Sequence, residues 1–349
     1  MDTLRLKYNF KLPESFFKDI NPKIRNVLST CLHNLVYKKT NKYYITEDDD
    51  EDGAVNIYYI DDFNSKEMYY LLYESIIDHR TELVCELLNI YRNINIFDFN
   101  NLLLNMACER AQYPVISKLI SAGVDVTFNN NIAIKLVSLS FTNHYIEQMN
   151  VIMTLELLLN NGADLHVDND FILCYASDNI FIFKYLLQLE HKYDITSRDN
   201  FCLQRCVHNY FNNINYKDAL SSIMESEEKV LVDINGNEFI VSDLIKILLD
   251  LGANVNCCDG YIFNEVVLYD YKYLIELFIE YRADLNLITS DSLSTIINEG
   301  DYNKIKLLRD NGLDFSKLNN EPVKNLKKIN TANLLLETGL KLEKIFELI

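Results

Sequence analysis

Glycine and proline are scarce in this chain of 349 residues, nine of the first and four of the second, and tryptophan is absent. Asn and Tyr are abundant instead, a balance that matches the coding bias of an AT-rich genome. No run of 18 or more apolar residues occurs, which excludes an ordinary transmembrane helix. The opening stretch MDTLRLKYNF carries an Asp at position 2 and no apolar core followed by small residues, so no secretory leader is expected and a cytoplasmic location is. The eight Cys are scattered along the length, a pattern that fits free thiols in a reducing compartment and not a disulfide framework.

Catalytic phrases are missing too. No G-x-S-x-G, H-E-x-x-H, P-loop or G-x-G-x-x-G string occurs, and the six His fall in unrelated phases. No nucleophile and base are assembled, so neither enzymatic activity nor a cofactor is expected. The formal net charge of −18 repels phosphate backbones and anionic membranes, so a neutral or basic protein surface is the expected partner. A hydrophobic content of 49% excludes global disorder, and the length calls for several domains or an array of repeats.

What is present decides for the array. Of the nine Gly, those at 123, 162, 252, 312 and 339 each follow a Leu-rich run and precede an apolar-polar-apolar triplet, as in LLLNNGADLH and ILLDLGANVN. Aligned on that slot, segments recur at 123, 162, 192, 252, 282 and 312, with spacings of 39, 30, 60, 30 and 30. Eleven residues after the slot stand Ile134, Leu173, Leu203, Phe263, Leu293 and Val323; three further on stand Val137, Ala176, Cys206, Val266, Ile296 and Leu326. Seven before it stand Ile116, Leu155, Tyr185, Ile245, Ile275 and Ile305, followed by apolar pairs at spacings of three and four, the mark of a helix. Each unit therefore reads helix, turn, helix, polar loop, with helices too short to stand alone in water. They must bury their apolar faces on their neighbours.

The slot glycine is then a helix stop, because a left-handed residue at the C-terminal cap is adopted without cost only by Gly. Lys192 and Arg282 occupy the slot in two units, where the cap is expected to cost about 1 kcal/mol more.

The phrase Leu-Leu-x-x-Gly-Ala-Asp, with Ala107 and Ala176 in the first helix and Gly300 between helices, resembles the ankyrin repeat. Two departures stand out: the period is 30 where the family has 33, and FILC, FCLQ and YIFN replace the usual Thr-Pro-Leu-His start. The short, Asn- and Tyr-rich form resembles the arrays encoded by giant viruses of amoebae. The resemblance covers residues 66–349 and implies an all-α ankyrin-repeat solenoid of about seven to eight helix-turn-helix units with short hairpin loops. An irregular first unit has Tyr91 in the slot, and the last ends in ANLLLETGLKL and KLEKIFELI.

Residues 1–65 lie outside the array and are expected to form a cap, with a helix entered at Asn21-Pro22 and a hairpin around the acidic run EDDDED. Insertions break the phase near 139–149 and 211–241. The second holds Asn235-Gly236 between β-branched runs, a hairpin signal that fits either a projecting arm or a degenerate repeat. Cys202, Cys206 and His208, with Cys257 and Cys258 one unit on, have some of the make-up of a zinc site, but Cys202 and Cys206 fall in core slots where Cys acts as a small hydrophobe. Lys324, Lys327 and Lys328 stand where inner repeats are apolar, as a terminal capping unit requires.

The resemblance implies a non-enzymatic protein–protein interaction module, a monomer that reads partner proteins, of host origin if the chain is viral, with its finger tips and concave first-helix face. The candidate contacts are Asn129, Asn130, Asp168, Asn169, Asp170, Arg198, Asp199, Asn200, Asp259, Tyr261, Ser290 and Asp291. The rings of Phe171, Phe201 and Tyr261 are expected to be buried at the start of the first helices. The alternative is the substrate-recognition part of a ubiquitin ligase, with residues 1–65 as recruiter, because KLPESFFKDI has the Leu-Pro opening of an F-box.

Overall fold

A computed structural model of the protein describes residues 11–30, 36–39, 42–48, 55–91, 96, 98–138, 145–176, 180–189, 193–218, 231–232, 238–239, 241–268, 272–299, 302–315 and 341. Lys192, Gly300, Gly339, the Asn235-Gly236 turn and the lysines of the last unit lie outside them, as do residues 49–52 of the acidic run. Contacts divide the chain into two compact parts, Met1–Ile172 with Phe181–Leu189 and Leu173–Ile180 with Glu190–Ile349.

The first part opens with a 3₁₀ turn, Glu14–Asp19, and α1 (Pro22–Thr30), whose Asn21 side chain accepts the Lys23 N–H at 3.0 Å. A three-stranded antiparallel sheet follows: β1 (Val36–Lys39), β2 (Lys42–Asp48) and β3 (Val55–Tyr59), with β2 in the middle. The acidic hairpin thus gains a third strand, β1, which sequence reading did not supply. Helix pairs come next: α2 (Ser65–Ile77) with α3 (Thr81–Ile90), α4 (Asp98–Glu109) with α5 (Tyr113–Ser121), and α6 (Phe128–Val137) with α7 (Tyr145–Asn160). First helices pack on first helices, α2 on α4 and α4 on α6, and second on second, α3 on α5 and α5 on α7.

The fourth pair is α8 (Val167–Ala176) and α9 (Ile180–Gln188). In the second part α10 (Ser197–Asp218) pairs with α11 (Val241–Asp250), α12 (Tyr261–Leu268) with α13 (Lys272–Glu280), and α14 (Ser290–Glu299) with α15 (Tyr302–Asp310). Again α10 packs on α12 and α12 on α14. The insertion at 211–241 begins as an extension of α10 and ends in a strand pair, β4 (Leu231–Val232) with β5 (Glu238–Phe239), Leu231 opposite Phe239. Seven helix pairs are present among the described residues, an all-α ankyrin-repeat fold with small strand additions.

The core follows the repeat phase. Ile134, Leu173, Leu203, Phe263 and Leu293 are buried, as are Val137, Ala176, Cys206, Val266 and Ile296, one set per turn of the first helices. Burying a Leu- or Ile-sized side chain contributes roughly 1.5–3 kcal/mol, so stacking supplies what a lone ten-residue helix lacks. Cys202, Cys206 and Cys257 belong to this core, and burial pushes the Cys257 thiol up to about 12. They pack as hydrophobes.

The helix stops are as the repeats require. Gly123, Gly162, Gly252 and Gly312 have φ between 94° and 99°. The Gly162 N–H bonds the Leu159 carbonyl and the Ala163 N–H the Leu158 carbonyl, both at 3.0 Å, satisfying carbonyls the helix end would leave open. Arg282 adopts the same left-handed form at φ 65°, with Ala283 N–H to Phe278 O at 2.9 Å, so the cap persists without its glycine. Tyr91 does not: its φ is −101°.

Residues 11–30 cover the exposed end of α2. Leu12, Phe16, Ile20, Ile24 and Leu28 are buried, and the Phe16 ring meets Tyr69 and Phe99 edge-on at 5.9 and 5.1 Å. A buried carboxylate ties the seam: Glu67 accepts the Asn21 N–H and the Asn64 N–H, both at 3.0 Å, while Asn64 caps α2 in return.

Candidate functional site

Each finger begins two residues after the slot with Asp or Asn. That side chain accepts the backbone N–H two residues on: Asp125 from Thr127, Asp164 from His166, Asp194 from Thr196, Asn254 from Asn256 and Asp284 from Asn286, at 2.8–3.0 Å. Such a turn reverses the chain without a β-hairpin. The buried residues Val126, Leu165, Ile195, Val255 and Leu285 anchor it.

Three left-handed residues follow in succession. Asn129, Asn130 and Asn131 have φ of 52–54°, Asp168, Asn169 and Asp170 51–57°, and Arg198, Asp199 and Asn200 53–60°; Cys258, Asp259 and Gly260 repeat the pattern. Asn and Asp tolerate this region because their short polar side chains bond locally, which explains the amide-rich tips.

The third tip residue works inward. Asn131 accepts the Asp164 N–H of the next unit at 2.9 Å, and Asn200 accepts the Asn254 N–H of its next unit at 2.7 Å. Those N–H groups belong to the very residues that open the following finger, so one amide staples two units. In the next finger the position is Gly260, because a side chain there would meet Leu287 at 2.4 Å. The staple moves to Asn256, whose side-chain Oδ1 accepts the Asp284 N–H at 2.7 Å. Asn264, buried on α12, adds bonds to the Leu287 carbonyl and from the Thr289 N–H, each at 2.9 Å.

The candidate contacts therefore divide. Asp170 and Asn200 are only 4% exposed; Asp170 pairs with His166 at 2.6 Å and Asn200 with Asn254, so neither faces solvent. Asn129, Asn130, Asp168, Asn169, Arg198, Asp199, Asp259 and Asp291 are exposed, and Ser290 is half-buried. Asp168 has an internal duty as well: it accepts from Asn130 at 2.9 Å and from the fully buried Lys135 at 2.8 Å. Asp199 accepts from the Cys258 thiol at 3.1 Å. Of the three rings expected to be buried, Phe171 is, Phe201 is half-buried, and Tyr261 is 61% exposed. Tyr261 starts α12 on its open side, whereas the neighbouring Ile262 and Phe263 take the core.

Tyr261 borders an open groove of about 240 Å³ between α10 and α12. The buried Val207 and Ile262 contribute to its lining, with Phe201, Tyr261, His208 and Glu265 beside them. Arg205, also at the groove, lies over the Tyr175 ring at 4.8 Å and near Phe201 at 6.0 Å. Gln204 is held by the Asp199 carbonyl at 2.6 Å and the Cys258 sulfur at 2.9 Å. Sequence reading found the rings but not the groove, which needs the register of α10 against α12.

Among the described residues no group of three or more His, Cys, Asp or Glu is arranged to hold a metal ion, and no helix is long and apolar enough to cross a membrane. No family model matches the chain. Two ankyrin repeat proteins of Acanthamoeba polyphaga mimivirus are similar to it. One is 42% identical over 67 residues, 19% of the chain and 19% of that protein; the other is 25% identical over 241 residues, 65% of the chain and 68% of that protein. Taken with the stacked helix pairs and their glycine caps, these likenesses support an ankyrin-repeat protein similar to those that a giant virus of amoebae encodes.

Proposed function

We propose that the chain is a non-enzymatic protein–protein interaction module that binds a partner protein through its exposed finger residues and the open face of its first helices. The repeat core is spent on stacking, which leaves these surfaces to recognition. The observation that carries the reading is the Tyr261 ring, 61% exposed beside a groove, where Ile132 and Phe171 in the same repeat phase are buried. An exposed rigid aromatic beside apolar floor and polar rim is the usual composition of an interface anchor. Arg198, Asp199, Asp259 and Asp291 are the exposed polar finger residues of the same part, Asn129, Asn130, Asp168 and Asn169 those of the other, while Asp170 and Asn200 hold the structure. With a net charge of −18 the partner surface is neutral or basic, and in an infected cell it is a host protein of the cytoplasm.

Full-length protein and a D259K/Y261A variant, both changes on exposed side chains, serve as baits in an amoebal lysate. The reading expects specific proteins retained by the wild type and lost from the variant; equal retention by both, or none by either, overturns it. No observation favours the ligase-adaptor alternative, since Leu12, Phe16 and Ile20 of KLPESFFKDI are buried against the first helix pair. Residues 1–65 are a cap on this reading, and their removal is expected to abolish amide protection in α2; a truncated chain with α2 intact would remove that role.

A further inference from the structure

We infer that the groove between α10 and α12 receives a lysine or arginine side chain of the partner polypeptide. This rests on the interaction reading above and specifies the chemistry of one part of that surface. The groove has an apolar floor, Val207 and Ile262, on which the methylene stem of a long basic side chain can lie. At about 240 Å³ it has room for one such side chain. At its edge stands the Tyr261 ring, 61% exposed, whose π face attracts a cation. Glu265 is the one carboxylate among the lining residues; it is half-buried and has no hydrogen-bond or ion-pair partner among the described residues.

The two cationic side chains nearby do not reverse this. Arg205 is already engaged with the faces of Tyr175 and Phe201. Arg198 is one cation among the exposed tips of the same units, against Asp199 and Asp259. An incoming carboxylate would have only Arg205, already held over the Tyr175 ring, and would meet Glu265, the Tyr261 π face and the field of a chain at −18, whereas an incoming cation is favoured by these three.

The test uses the full chain with methyl-labelled Ile and Val, titrated with three acetylated and amidated Gly-Ser-Leu peptides that differ only in carrying Arg, Gln or Glu at the two central positions. The Arg peptide is expected to shift the Val207 and Ile262 methyl signals selectively, and E265Q to weaken it by about tenfold, the loss of one charge-assisted contact. Y261A weakens it as well. Stronger shifts from the Glu peptide, equal affinity of the Arg peptide for E265Q, or no methyl shift with any peptide overturns the inference. The two readings fail separately: a partner retained by wild type, lost from D259K/Y261A and bound undiminished by E265Q leaves the interaction module standing and removes the basic side chain from this groove.

Discussion

Two fingers in the second part solve the same problem differently. At 198–200 the chain enters its first helix through three left-handed residues and staples the next unit with Asn200; at 288–290 it enters through a 3₁₀ turn, Leu285–Leu287, and an ordinary cap in which Thr289 accepts the Ser292 N–H at 3.2 Å. The first route forces Arg198 and Asp199 into a region disfavoured for most side chains, at roughly 1 kcal/mol or more each, and recovers some of that through the inter-unit bond. The second has no left-handed residue between Arg282 and its first helix, and its ties to the neighbour come from Asn256 and Asn264. The lesson is that Asn in these tips is as much a joint as a contact. An exposed amide-rich loop is easily taken for a binding surface throughout, when its third residue faces the stack.

A graded set of substitutions sharpens that contrast. The largest effect is expected of Asp168→Ala, which takes a carboxylate from the buried Lys135 ammonium: about 2–4 kcal/mol lost in urea unfolding, with Lys135→Met restoring most of it in the double variant. Asn200→Ala removes the acceptor of the Asn254 N–H and places Ala at φ 60°, for about 2 kcal/mol, whereas Asn200→Gly keeps the backbone and costs about 1 kcal/mol. Thr289→Ala, loss of an ordinary cap, is expected to cost about 1 kcal/mol by the same assay. Arg282→Gly runs the other way, a gain of up to about 1 kcal/mol, because glycine relieves a φ of 65°. An Asn200→Ala that unfolds no more easily than Thr289→Ala would erase the distinction between the two fingers.

Much of this was legible in the sequence. The Gly slot, the apolar phases and the helix stops follow from residue type at fixed spacing, and Gly162 or Leu173 could be placed without coordinates. The staples could not, because Asn131 and Asn200 look like any polar loop residue until their neighbours' N–H groups are located. The Asp or Asn two residues after each slot was a missed signal: its recurrence at 125, 164, 194, 254 and 284 marks the turn that closes on the next N–H. Gly260 also needs tertiary context, since only the approach of Leu287 explains why the staple shifts to Asn256. Tyr261 was misplaced for a related reason. Its phase matches Phe171, yet the side of α12 on which it sits is open.

Amide hydrogen exchange at Asn254, compared between wild type and Asn200→Ala, tests most directly whether the third tip residue joins the units. Strong protection of that amide in the wild type, falling by about tenfold or more in the variant while the amides of the α12 core stay protected, is the expected result. Protection at Asn254 unchanged by the substitution, or already absent in the wild type, would contradict the joint and return Asn200 to the rank of an ordinary loop residue.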